Sequence, residues 1–265
     1  MKTAFSFALV CTLVLSASAV SAAPSASSSS RAQATAAASA AQQLAEAQRL
    51  WQEMERTPLP QKMNLFAQTW SNLTLVRKAW PNDKVACVRS GILQADLAGE
   101  FAATPKAIDA LLEVLPAAAK TSMEPQVERR LGQAYEQARN IAESEKHFLA
   151  AERALHATHL NRVDSQATLS SIALFYSRQN KPQEAIRRFR EAGNLPGQDA
   201  VNQARFQLSV VQEAARISKD AAAPELARFD DLVASARRTN LSSTDATVLN
   251  HMVQHAQRIR ETSHL

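Results

Sequence analysis

Residues 172–192 read Ile-Ala-Leu-Phe-Tyr-Ser-Arg-Gln-Asn-Lys-Pro-Gln-Glu-Ala-Ile-Arg-Arg-Phe-Arg-Glu-Ala, and their spacing decides the fold. Ile172, the small Ala173 beside it and Tyr176 three residues later share one face of a helix. Asn180-Lys181-Pro182 breaks that helix and opens the next, with proline at a first-turn position where no donor is lost. Ala185, Phe189 and Ala192 then follow at intervals of four and three, a small–aromatic–small face on a second helix. The small residue lets the two helices approach closely, and the aromatic fills the gap to whatever packs next. One such pair cannot bury both of its faces, so it needs neighbours of the same kind.

The neighbours are in the sequence. Leu131-Gly132, Tyr135, Ser144, Phe148 and Ala151 fall at the same intervals, and so do Leu97-Ala98, Phe101, Ala110, Val114 and Ala117. The starting points 97, 131 and 172 are 34 and 41 residues apart. At these residues the chain resembles the tetratricopeptide repeat family. Stretch 166–192 matches best, including Gln-Asn-Lys-Pro-Gln-Glu-Ala-Ile before Phe189. Stretch 125–151 has Ser144 where alanine is usual, and 91–117 has Val114 in the aromatic place. The aromatic that often opens each repeat is absent from all three. The resemblance covers about 100 residues, and the 41-residue step predicts a longer second helix or loop around 152–165.

The resemblance implies an all-α, right-handed α-solenoid of antiparallel helix pairs, with repeat units at 91–124, 125–158 and 166–198 inside a helical domain spanning 41–262. It also implies a concave groove lined by the first helix of each pair, in which a protein or peptide partner docks. Between the core positions, the stripe facing such a groove is Gln126, Arg129, Gln133, Glu136 and Gln137 in the middle unit. In the third unit it is Ala167, Ser170, Leu174, Ser177 and Arg178, and in the first Ile92, Ala95, Gly99 and Ala102. The expected groove is therefore apolar at the first unit and hydrogen-bonding at the others. Family members that clamp a C-terminal carboxylate carry paired basic residues and Asn there. Arg129 is present, but Gln133 replaces Asn and the third unit lacks the second basic pair, so that clamp is not supported.

Composition points the same way. The chain has 265 residues and only five glycines, roughly 2 % against a usual 7 % or so. Hairpins, phosphate loops and strained catalytic turns all draw on glycine. No sustained alternation of β-branched and aromatic residues marks a strand. Turn signals at Thr57-Pro58-Leu59-Pro60, Pro81, Thr104-Pro105 and Leu195-Pro196-Gly197 divide residues 42–261 into about eleven helices. Asp199 and Ser243 are placed to cap two of them. The second, 61–79, carries Met63, Phe66, Trp70, Leu73 and Val76 on one stripe, which Trp80 extends.

The ends and the charges have their own readings. Residues 1–23 read as a signal peptide: Lys2, an apolar run from Phe5 to Leu15, then Ala17-Ser18-Ala19 and Val20-Ser21-Ala22 before a cut. The rival is a retained anchor helix, since Thr3 to Ala23 carries no charge. Residues 24–40, rich in Ser and Ala, read as a flexible leader. Export to a periplasm or outside the cell follows, with no membrane span once the signal is gone. Cleavage leaves Cys87 as the single cysteine, a small buried hydrophobe among Val85, Ala86 and Val88. Thirty basic residues against twenty-five acidic ones, net +5, make a mixed surface and not a nucleic-acid stripe. The densest basic run, Arg187, Arg188 and Arg190, reads as a solvated helix face.

No catalytic constellation is present. Ser170 and Ser171 lie within a helical pattern and no Walker loop or dinucleotide fingerprint exists, so no cofactor and no metal are expected. His251 and His255 are four apart, but Met-Val-Gln stands between them where zinc peptidases place Glu after the first His. His156 and His159 sit near a helix end, favoured by the dipole. The function expected is a non-catalytic scaffold. The alternatives are a self-assembling structural protein and a zinc-dependent hydrolase using His251 and His255.

Overall fold

A computed structural model describes residues 28–59, 61–158 and 161–263, with side chains from residue 39 onward. The signal peptide expected at 1–23 and His159 lie outside the described residues. Eleven α-helices and no strand occur among those described: α1 Ser28–Glu55, α2 Gln61–Ala79, α3 Lys84–Glu100, α4 Thr104–Ala118, α5 Glu124–Gln137, α6 Ile141–Ala157, α7 Arg162–Arg178, α8 Pro182–Gly193, α9 Ala200–Ile217, α10 Lys219–Arg237 and α11 Ser243–Ser263. No helix among the described residues is long and apolar enough to cross a membrane.

The helices pack as consecutive pairs, α1/α2, α3/α4, α5/α6, α7/α8 and α9/α10, each pair against the next, and α11 closes the array on α9 and α10. The result is an α-solenoid. Its period is visible in side-chain pairs that join one unit to the next at about one repeat length. Glu113 accepts from Arg77, Asp96 pairs with Arg130, Glu145 with Lys181, Glu213 accepts from Ser177, and Glu225 pairs with Arg190. Several of these pairs set a largely buried side chain against a more exposed one; they record register.

The turns inside the pairs repeat as well. The amide of Ala103 donates to the Ala98 carbonyl, Asn140 to Tyr135 and Lys181 to Tyr176, the same six-residue closure three times. Each closure has a left-handed residue just before the donor: Ala102 at φ 52°, Arg139 at 59° and Asn180 at 56°. The core follows the predicted faces. Phe148, Ile172, Ala173, Tyr176, Ala185, Phe189 and Ala192 form one buried cluster. A Cβ built on Gly132 would lie 2.9 Å from the Phe148 ring, so only a missing side chain lets these helices meet.

Several expectations are corrected. In the first unit the small residue meeting Val114 is Gly91 and not Ala98: a Cβ added at Gly91 would lie 2.6 Å from the Val114 methyls. That hairpin carries about one extra turn on each arm, so matching Ala98 to Gly132 misplaced the contact. The first helix begins at Ser28, within the stretch read as a flexible leader. Alanine carries no helix penalty, and the segment extends a helix already nucleated beyond residue 42, so nothing stops it. Met63 is 49 % exposed, off the buried stripe of Phe66, Leu73 and Val76. α4 starts at Thr104 after Ala103, with no side-chain cap, and α11 is capped by Ser242 in place of the expected Ser243, its Oγ accepting from the Asp245 amide. The 41-residue step is absorbed by 17-residue α6 and α7 and their link.

Arg188 is the sharpest correction. The run Arg187, Arg188, Arg190 is not a uniform solvated face, because Arg188 is 2 % exposed. It donates to Glu152 at 3.1 Å, pairs with Glu184 and lies 4.7 Å above the Tyr176 ring. Burial raises the Tyr176 phenol, an effect partly offset by this guanidinium.

Asp199 caps α9 as expected, accepting from the Asn202 amide at 2.7 Å. Partial burial pushes its carboxyl up, but hydrogen bonds from Asn202 outweigh this and hold it below the usual range. Asp199→Ala is expected to cost about 1 kcal/mol at neutral pH in urea unfolding. A carboxyl whose folded pKa is depressed stabilises above its unfolded value and loses this as pH falls through the folded one. The gap between the two proteins should therefore narrow below about pH 4.

Candidate functional site: the inner row of helices

Which face is concave follows from helix proximity. Odd-numbered helices touch along the array, α1 with α3, α3 with α5, α5 with α7 and α9 with α11. Among the described residues no even-numbered helices approach one another to the same extent. Rows that touch lie inside the curve and rows that splay lie outside, so α3, α5, α7, α9 and α11 form the inner row.

The structure places the predicted groove residues on this row and joins them. Arg129 lies 3.5 Å from the Gln133 side-chain oxygen, and Gln133 donates to Ser171 at 3.2 Å, crossing from α5 to α7. One turn on, Glu136 accepts two bonds from Arg178 at 2.6 and 2.7 Å, the fork-to-carboxylate geometry of a bidentate pair. Gln126 and Ser170 are half-buried and Gln137 is exposed. Leu174 is 47 % exposed, an apolar side chain set between the Gln133–Ser171 bridge and the Glu136–Arg178 pair.

The apolar end expected at the first unit is absent. Ile92 and Ala95 are buried in the core with Val88, Leu111 and Val127. Gly99 is open, with nothing within 4 Å of an added Cβ. The longer α3/α4 hairpin turns those positions inward, and the exposed large apolar side chains on these helices are Val85 at the start of α3, Val163 and Leu174 on α7, Ile217 at the end of α9 and Val248 on α11.

The row continues beyond the predicted units. Ser177 donates to Glu213 at 2.6 Å, Arg216 reaches both Ser177 and Asn180, and Gln212 meets His255 Nε2 at 3.0 Å. Arg205 and Ser209 complete the α9 stripe at helical spacing. A 36-residue step from Ser177 and Asn180 would have located Glu213 and Arg216 without any motif. Along these helices Arg130 pairs with Asp96, Arg178 with Glu136 and Arg216 with Glu213.

His251 and His255 occupy the far end of this row, His251 exposed and His255 held by Gln212. They belong to no group of three metal-ligating side chains among the described residues. One such group exists elsewhere, Glu152, His156 and Glu191, on α6 and α8. Spacing alone hides it, because Glu191 comes 35 residues after His156; adding one repeat period would have revealed it.

No protein-family model matches this chain, and no curated protein matches it by sequence. Its fold is shared with a solved structure, the crystal structure of BtubC (BKLC) from P. vanneervenii. The TM-score is 0.53 at 14 % identity, over 77 % of this chain and 92 % of that one. The chain has a helical-repeat fold. At that identity the similarity speaks to fold alone.

Proposed function

We propose that this protein is an exported, non-catalytic scaffold of the tetratricopeptide type, which docks an extended segment of a protein partner along its inner row. The observation that carries the reading is Leu174. An exposed leucine costs solvation, and here it stands in a row of hydrogen-bonding side chains on the inner side of a solenoid. Such a row offers a peptide one apolar anchor flanked by polar contacts. Residues 1–23 supply the export signal in this reading.

The scaffold reading is favoured over end-to-end assembly by α11. The side of this helix turned from its buried stripe carries Asn250, His251, Gln254, Gln257 and Glu261, a polar face that gives a second copy little apolar surface to stack on.

The test is affinity capture with Leu174→Asp beside Leu112→Asp. Leu112 is 41 % exposed on the outer α4, so it controls for a new surface charge. A specific partner should bind about tenfold or more weakly to the first, some 1.4 kcal/mol or beyond, and normally to the second. Equal binding to both would remove the groove as the docking site.

A further inference from the structure

We propose that Glu152, His156 and Glu191 form a divalent-metal site of the zinc class on the outer face, bridging two repeat units. Glu152 and His156 are one turn apart on α6, so their side chains lie on the same face. Glu191 comes from α8 of the next unit. One ligand atom from each falls within 4.8 Å of the other two. His156 Nε2 and Glu191 Oε1 are 3.6 Å apart, close to the about 3.4 Å between neighbouring ligands on tetrahedral zinc with bonds of about 2.0–2.1 Å.

The surroundings are those of a ligating carboxylate. Glu152 is oriented from behind by the buried Arg188, which donates to Oε2 at 3.1 Å, and ligating carboxylates are commonly held by such outer hydrogen bonds. Arg188 and Arg187 are both also paired with Glu184, so Glu184 shares these cations and Arg187 is the one an ion would displace from Glu152. Glu152 Oε1 is approached by Arg187 at 3.8 Å, a side chain 63 % exposed and able to swing into solvent. The group lines an open cleft of about 410 Å³ with Leu149, Arg153 and Arg187, which leaves room for a water ligand. Imidazole with two carboxylates selects zinc-like ions over magnesium or calcium, which prefer all-oxygen shells.

The site belongs to residues other than His251 and His255, and it is independent of the groove. An ion held between α6 and α8 would staple adjacent units, since ligands binding only the folded chain stabilise it by mass action.

The test is calorimetric titration of the metal-free full chain with Zn²⁺, followed by thermal unfolding with and without the ion. One ion per chain and a raised midpoint are expected. Both should be lost in His156→Ala, at an exposed position, and in Glu191→Gln, a near-isosteric change at a half-buried one. Arg187→Ala should bind about threefold or more tightly, because it removes the competing cation. His251→Ala with His255→Ala should bind as the parent does. Absence of stoichiometric binding, binding that survives His156→Ala, or binding lost with the His251 and His255 pair would each overturn the proposal.

Discussion

Replacing Phe148 with alanine is expected to destabilise the protein by about 3–5 kcal/mol in urea unfolding. The ring is fully buried. One face lies on the bare backbone of Gly132, and its centroid is 5.0 Å from that of Phe175 in the next unit. It therefore fills space within its own hairpin and against the neighbour at once. Truncation leaves a cavity that two helices meeting on a glycine cannot close without moving the hairpin. Leu112→Ala, on an exposed outer position, should change stability by less than about 0.5 kcal/mol. If the two variants unfolded alike, Phe148 would not be the joint between units.

Arg188→Ala should cost a comparable amount, about 3–5 kcal/mol. Removing one partner of a buried pair is worse than lacking the pair, because the other charge stays desolvated. Here Glu152, whose side chain is 15 % exposed, is stranded, while Glu184 at 47 % still reaches water. The cation above Tyr176 is lost as well. Two companion variants separate charge from packing. Arg188→Met, which keeps most of the volume, should remain destabilised, and Glu152→Gln added to Arg188→Met should recover a substantial part. Recovery of nothing would mean that Arg188 contributes by its hydrocarbon stem alone.

The fold was legible because its determinants are local. Intervals such as Ile172–Ala173–Tyr176 and Ala185–Phe189–Ala192 need only helical geometry to become two packed faces, and all these residues are buried. What failed was register wherever the hairpin length changed. Gly91, not Ala98, meets Val114, because α3 and α4 are each longer past their crossing, and no interval in the sequence reports that. The expected apolar end of the groove fell with it, since Ile92 and Ala95 turn inward.

That Gln133, Glu136, Leu174 and Arg178 lie off the buried core was legible for the same reason as the core, being what remains between core positions. Their partners were not, because Glu136–Arg178, Gln133–Ser171 and Ser177–Glu213 join residues 36 to 42 apart. Arg188 shows the limit of reading charge runs. In Arg187-Arg188-Phe189-Arg190, helical rotation turns the middle arginine inward beside Phe189, and only the carboxylates of Glu152 and Glu184 make that tolerable.

The central claim is that each unit is buried by its immediate neighbours along an open array. Native-state hydrogen exchange on the parent and on Phe148→Ala, read helix by helix, tests it most directly. In a solenoid, stability is a sum over units and nearest-neighbour interfaces, so protection should fall most in α5 to α8 and progressively less toward α1 and α11. An equal loss of protection in every helix would mean one closed, indivisible core, and would contradict the account.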